Sequence, residues 1–218
     1  EEKKGLVPST KWKKDNIGRG WVLGETLITG IGQGYIQTTP LQLCLMTAQI
    51  ANGGYKISPK IIVNNKPLNF LEAKKNMELR SSIDPNLKLI KDKKNLKIVQ
   101  KAMFSSTNEI RGTSYRSRID DPKYQFAGKT GTAQVKRISK RERELDLKLE
   151  QIPYKDRDHA LYVAYGPYIN PRYALSIIVE HGGSGSKAAA PIAKELFKLI
   201  IDRDALREKQ SNFEEIDI

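Results

Sequence analysis

The chain has 218 residues, 39% hydrophobic and 29% charged, which is enough for one good-sized core or two small ones and argues against disorder. Its net charge of +13 indicates attraction to anionic partners or simply a solvated lysine-rich surface. Aromatic residues are few and are not interleaved with the basic runs, so nucleic acid is not predicted as a partner. The single cysteine, Cys44, excludes an intrachain disulfide, and its apolar neighbours predict a core position.

The first half of the chain carries one strong helix signal. Residues 1–20 are polar and basic and are predicted to be irregular. After a glycine-dense turn at 30–34, Thr39 and Gln42 have the spacing of a capping box, which predicts a helix from there to Asn52. This helix is apolar nearly all round, so it should pack on several sides, which requires a larger body than this chain supplies.

The second half predicts an antiparallel sheet flanked by helices, an α/β (α+β) fold. The predicted elements are, in order, an extended piece at 55–63, a loop-like region to 92, an amphipathic helix at 95–105, a strand from Tyr124, a charged excursion at 136–158, strands at 161–165 and 173–179, a closing helix at 188–201 and a polar tail at 204–218. The turn between the last two strands is short enough for an antiparallel pair.

The strand at 127–135 concentrates the chemistry. It carries an ammonium, two hydroxyls and a bare glycine at Lys129, Thr130, Gly131 and Thr132. On a regular strand Lys129 and Gly131 point one way and the two threonines the other, and the glycine lets a ligand approach closely. The alternative is a solvent-exposed edge strand protected by its lysine.

A second signature precedes this strand and supports a ligand-binding strand over a merely exposed edge strand. The segments Gly30-Ile31-Gly32-Gln33-Gly34, Thr39-Pro40-Leu41-Gln42 and Ala51-Asn52-Gly53-Gly54, followed by Lys129-Thr130-Gly131-Thr132-Ala133-Gln134, resemble the class B penicillin-binding proteins, whose motifs include Lys-Thr-Gly. The resemblance spans about residues 10–200 and is greatest to the elongation-type members, which have a similar charged excursion after the motif strand.

The resemblance implies a serine transpeptidase/β-lactamase-like fold and a D,D-transpeptidase that crosslinks peptidoglycan stem peptides and is acylated by β-lactams. Lys129 would stabilise negative charge and support proton transfer, and the hydroxyls of Thr130 and Thr132, beside Gly131, would hold a carboxylate. The backbone N–H of Thr132 would be an oxyanion-hole donor. Neither a metal nor another cofactor is implied.

The resemblance also implies where such a protein works and with what. A penicillin-binding protein of this type acts at the periplasmic face of the bacterial inner membrane with the elongation machinery. No apolar run here approaches the eighteen or so residues of a membrane span, so the anchor is expected upstream.

The sequence departs from the family at the nucleophile. Residues 1–203 match the C-terminal part of a transpeptidase domain, so the Ser-x-x-Lys and Ser-x-Asn motifs are expected before residue 1, in the missing N-terminal part of the same protein. Two segments have these spacings by accident, Ser184-Gly185-Ser186-Lys187 and Ser106-Thr107-Asn108, but both lie in the wrong order. The isolated chain is therefore predicted to be inactive. Because the helix from residue 40 to Asn52 would expose an apolar face without the missing part, the isolated chain is also predicted to dimerise, bind a partner or aggregate.

The remaining sequence patterns favour no separate function. The loop at 182–187 lacks the glycine and hydroxyl spacing of a phosphate-binding loop. His159 and His181 lack neighbours at metal spacing and are predicted to end strands. The basic cluster Lys136, Arg137, Lys140, Arg141 and Arg143 is interleaved with glutamates, which favours a solvated loop. The alternative function is a non-catalytic basic scaffold that docks on another protein or an anionic polymer.

Overall fold

The computed structural model describes residues 3–59, 87–136 and 147–214, with side chains through residue 204. Most of the predicted loop-like region and the middle of the charged excursion, including four of the five residues of the basic cluster, lie outside the described residues. The chain divides into two compact units, Glu1–Leu43 and Cys44–Ile218.

The first unit contains two short helices that the sequence prediction missed. They are α1, Thr10–Ile17, and α2, Leu23–Gly30. The Ser9 hydroxyl accepts a hydrogen bond from the Trp12 N–H and caps α1. Lys13 is 5% exposed because its ammonium pairs with Glu25 at 2.5 Å. The prediction of irregular chain at 1–20 was wrong for residues 10–17, because the Ser9 cap and the contact of Lys13 with Glu25 leave no apolar periodicity in the sequence.

Helix α3, Pro40–Ala51, begins as predicted. The Thr39 N–H donates to the Gln42 side chain at 3.0 Å and the Gln42 N–H donates to the Thr39 hydroxyl at 3.2 Å, which confirms the capping box. The helix is not packed on all sides within this chain, since Leu41 is 48% and Met46 45% exposed. Its apolar face is therefore only partly covered by the described residues.

The second unit is built on a three-stranded antiparallel sheet, as predicted. Its elements are α4, Lys93–Asn108; β1, Ala127–Ala133; β2, His159–Gly166; β3, Tyr173–Val179; and α5, Ala190–Glu214. The strand order is β1-β2-β3, so β2 is central and β1 is an edge strand. The register of β1 on β2 is unbroken, from Ala127 opposite Tyr165 to Ala133 opposite His159.

The two faces of the sheet are covered by different helices. On one face α5 packs against a core of buried residues, Ile119, Phe126, Tyr162, Ala164, Ala189, Ala190, Ala193, Phe197 and Ile201. On the other face α4 and the end of α3 pack against a smaller cluster, with Met103, Ala127 and Tyr165 at its centre. The period-two alternation of β2 thus sends Tyr162 and Ala164 into the first core and Tyr165 into the second.

Helix α5 is longer than predicted. A π-helical turn at Gly185–Ala189 leads into it, and the helix continues to Glu214 through most of the segment predicted to be a polar tail. The difference arises because residues 202–214 lack apolar periodicity but are rich in Arg, Lys, Glu, Gln and Ala, which favour helix. None of the described helices combines the length and apolarity needed to cross a bilayer.

Candidate functional site

Lys129 lies beside an open groove on the α4 face of the sheet. The groove has a volume of about 650 Å³. Its floor and walls are apolar side chains of α3, α4 and β2, namely Met46, Ile50, Ile98, Val99, Ala102, Met103 and Val163. Polar groups complete its rim, namely Ser105, Ser106, Glu109, Arg111, Thr113 and Lys129. The site is thus a largely apolar groove whose lining also includes two cations, Lys129 and Arg111, one carboxylate, Glu109, and several hydroxyls.

The Lys129 ammonium is exposed and held close to its own strand. Its Nζ donates to the Thr130 carbonyl at 2.7 Å. Within the described residues no carboxylate forms an ion pair with it, although Glu109 contributes to the same rim. A cation without a bound carboxylate, beside an apolar channel, is suited to attract an anionic ligand.

Thr130 and Lys129 point to opposite faces of β1, as the alternation predicted. Lys129 lies opposite Val163 at the groove, whereas the Thr130 hydroxyl lies 3.2 Å from the Thr113 hydroxyl. Thr132 is exposed further along the strand, opposite Ala160. Gly131 separates the two threonines. The structure therefore brings the four predicted site residues onto one continuous edge strand but not onto one face.

A buried cluster of hydroxyls lies beneath the site. The Tyr162 hydroxyl is 2.9 Å from that of Thr107 and 3.1 Å from that of Ser114. Burial raises the pKa of Tyr162, and its two hydroxyl partners partly oppose that shift. Tyr162 reaches these partners across Gly128, where any β-carbon would overlap the Tyr162 hydroxyl. This explains a glycine one residue before Lys129.

The segments with accidental Ser-x-Asn and Ser-x-x-Lys spacings lie in different places. Ser106 lies on the rim of the groove, near Thr113 and Lys129. The backbone of Gly185, in the second spacing, packs against the backbone of Gly131 and Leu161, and the Ser184 hydroxyl bonds that of Ser186. The predicted loop at 182–187 is thus partly a π-helical turn against the sheet.

The remaining candidates are structural. His159 and His181 lie at strand ends as predicted, and the His181 N–H donates to His159 Nδ1 at 3.0 Å. Cys44 is half-buried, its thiol lies 3.4 Å from the Ala174 carbonyl, and burial raises its pKa. A raised pKa keeps the thiol protonated, which is unsuited to a nucleophile.

Sequence reasoning missed the contribution of Thr113. This residue connects the C-terminal end of α4 to the motif strand through its hydroxyl. The available signal was a run dense in hydroxyls between the helix and the strand, Ser105-Ser106-Thr107 followed by Thr113-Ser114.

Comparison with protein families identifies the family of this chain. The model of the penicillin-binding protein transpeptidase domain matches residues 1–198. The chain belongs to the penicillin-binding protein transpeptidase family. Among curated relatives, the peptidoglycan D,D-transpeptidase MrdA of Salmonella typhimurium is 34% identical over 205 residues, which are 94% of this chain and 32% of that protein. The MrdA of Haemophilus influenzae is 32% identical over 93% of this chain and 30% of its own length.

Solved structures agree with this assignment. The complex between PBP2 and MreC from Helicobacter pylori matches with a TM-score of 0.69 and 32% identity over 93% of this chain and 32% of that chain. PBP2 of Pseudomonas aeruginosa in complex with WCK 5153 matches with a TM-score of 0.65 and 34% identity, over 91% and 38%. The predicted resemblance to the class B, elongation-type penicillin-binding protein two is confirmed, as is the fold. The chain spans about one third of the length of the curated relatives that it matches.

Proposed function

We propose that this chain is the C-terminal part of a peptidoglycan D,D-transpeptidase that crosslinks stem peptides during cell elongation. It would supply the substrate-binding strand β1, while a serine upstream of Glu1 would supply the nucleophile. The observation that carries the proposal is the position of Lys129, an ammonium without a described carboxylate partner on an edge strand beside an open groove. An edge strand that carries a cation and hydroxyls is suited to bind an extended anionic peptide.

The free edge of β1 supports binding of an extended substrate. Among the described strands β1 pairs only with β2, so its other edge can accept a peptide by strand addition. The Thr130 carbonyl accepts from the Lys129 ammonium, and in an antiparallel ladder every second residue directs its backbone groups to the same edge. We therefore expect the Thr132 N–H on that edge too, where an oxyanion-hole donor is required.

In this mechanism the upstream serine attacks the carbonyl of a D-Ala-D-Ala donor. The serine oxygen forms an ester with the penultimate residue, and the terminal D-alanine leaves. An acceptor amine then attacks the ester and the serine is regenerated. Lys129 would offset the developing negative charge and assist proton transfer, while the hydroxyls of Thr130 and Thr132 would orient the terminal carboxylate. The same groups would receive a β-lactam carboxylate.

The open groove is consistent with a missing catalytic segment. Its walls expose apolar side chains, with Ile98 65%, Met46 45% and Val99 43% accessible to solvent. We propose that the upstream part of the transpeptidase domain covers them and brings its serine to Lys129. The intact protein would be anchored upstream in the inner membrane, act in the periplasm and work with the elongation machinery, in keeping with a structural neighbour solved as a PBP2–MreC complex.

Labelling with a fluorescent penicillin tests the proposal. The full-length protein should be labelled covalently, and peptide mapping should place the label on a serine before Glu1. The isolated 218-residue chain should remain unlabelled under the same conditions. A label on a serine within residues 1–218, such as Ser106 or Ser184, would overturn the proposal that the nucleophile lies upstream of this chain. An unlabelled full-length protein would favour the non-catalytic scaffold instead.

A further inference from the structure

Three hydroxyls form a continuous chain that ends at the motif strand. The Ser106 hydroxyl lies 3.2 Å from that of Thr113, which lies 3.2 Å from that of Thr130. Ser106 belongs to the last turns of α4, Thr113 to the loop that follows, and Thr130 to β1. The chain therefore links the rim of the groove to the residue between Lys129 and Gly131.

The loop that carries Thr113 is fixed on both sides. Its backbone approaches α4 so closely that a β-carbon at Gly112 would overlap the carbonyls of Ser105 and Ser106. The next residue, Ser114, is 1% exposed, and both its N–H and its hydroxyl donate to the Ser106 carbonyl at 3.0 Å. Thr113 is thus held in place by buried contacts that do not involve its own side chain.

The direction of the hydroxyl chain decides what Thr130 can do. A hydroxyl has one proton, so each member can donate to only one partner. If Ser106 donates to Thr113 and Thr113 donates to Thr130, the Thr130 oxygen is satisfied as an acceptor and its proton is available for a ligand. Donors aligned in this way also polarise one another, which strengthens the terminal donor.

We propose that Thr113 is a positioning residue that makes Thr130 a hydrogen-bond donor to the carboxylate of the substrate, with Ser106 as the first member of the chain. The inference rests on the proposed function, because it assigns a ligand to Thr130. It predicts selectivity for ligands that bear a carboxylate at this position, since a neutral group accepts a hydrogen bond from Thr130 less strongly. Thr113 itself does not contact the ligand.

Acylation of the full-length protein by benzylpenicillin and by its neutral methyl ester tests this role. Thr113→Val removes the donor to Thr130 with little change in volume, and Thr113→Ser retains it. The second-order rate of acylation by benzylpenicillin should fall about three- to tenfold in Thr113→Val, the range expected for one lost hydrogen bond. It should stay near the wild-type rate in Thr113→Ser, and Ser106→Ala should give a smaller loss. The rate with the ester should change little in all three.

The ratio of the two rates separates positioning from a general structural effect. A Thr113→Val variant that loses both rates equally, or neither, would overturn the inference while leaving the proposed function intact. Thermal unfolding of each variant reports any loss of folded protein. A wild-type protein that neither ligand acylates would overturn the proposed function, and the inference with it.

Discussion

The two faces of the sheet are completed to different degrees. On the α5 face the core residues Ala160, Ala164, Ala193 and Phe197 have no solvent exposure. On the α4 face the groove beside Lys129 leaves Ile98, Met46 and Val99 between 43% and 65% exposed. The same three strands thus carry a fully buried core on one side and, on the other, a core bordered by solvent-exposed apolar side chains.

This difference indicates that the two faces have different tasks. The α5 face holds the larger of the two buried cores of the described residues. The α4 face keeps an apolar channel open around the cation, and contiguous exposed apolar surface of this kind is typical of an interaction site. The predicted substrate-binding residues lie along β1, the edge strand of this sheet.

Truncation of Phe197 should give the largest loss of stability. Phe197 is fully buried and stacks on Phe126 at 4.8 Å between ring centroids. Phe197→Ala should lower the free energy of unfolding by about 3–5 kcal/mol, as is usual for a buried phenylalanine. Val99→Ala on the groove is the control and should cost less than about 0.5 kcal/mol. Equal losses in urea unfolding of the two variants would contradict the contrast between the faces.

Removal of the Tyr162 hydroxyl should have an intermediate effect. Tyr162→Phe removes the shared partner of the Thr107 and Ser114 hydroxyls, which keep their contacts with backbone carbonyls, so the loss should be about 0.5–1.5 kcal/mol. Tyr165 is a matched control, because it is similarly buried and its hydroxyl has no hydrogen bond to a described residue. Chemical denaturation should show the larger loss for Tyr162→Phe. The reverse order would show that the cluster does not stabilise β1.

Acid should lower the free energy of unfolding by a smaller amount than these substitutions, through the carboxylate of Asp202 on α5. The Tyr124 hydroxyl and then the Lys123 ammonium hold the pKa of Asp202 on α5 below its usual value. A carboxyl with a lowered folded-state pKa stabilises above its unfolded-state pKa, and this contribution is lost as pH falls through the folded-state pKa. Unfolding between neutral and acidic pH should therefore show a smaller pH dependence in Asp202→Asn. An unchanged pH dependence in Asp202→Asn would contradict this contribution.

A polar substitution in the groove should have the smallest effect on stability but a clear effect on association. Ile98 is 65% exposed, so Ile98→Ser should change the unfolding free energy of the isolated chain by no more than about 0.5 kcal/mol. It should, however, reduce the self-association that we predict for the isolated chain. Sedimentation velocity measures this directly. A wild-type chain that is monomeric and unfolds cooperatively would contradict the prediction that the exposed apolar groove causes self-association.

Much of this architecture was predictable from local pattern. The Thr39–Gln42 cap, the three strands and the lysine at the edge follow from spacing and periodicity. Helix α1 was not predictable in this way, because it lacks apolar periodicity and its contact with α2, between Lys13 and Glu25, joins two separate segments. The contact of Thr113 with Thr130 was hidden for the same reason: a hydroxyl-rich run shows capacity for hydrogen bonds but not their partners.

The central claim is that Lys129 acts on the bound substrate from the groove on the α4 face of the sheet. Its most direct test is the rate at which benzylpenicillin acylates the full-length protein carrying Lys129→Met. We predict a loss of about a hundredfold or more, the scale of a missing proton-transfer or charge-stabilising group. Lys97→Met, which removes an exposed lysine on α4, is the control and should react like the wild type. Equal rates in the two variants would contradict the account.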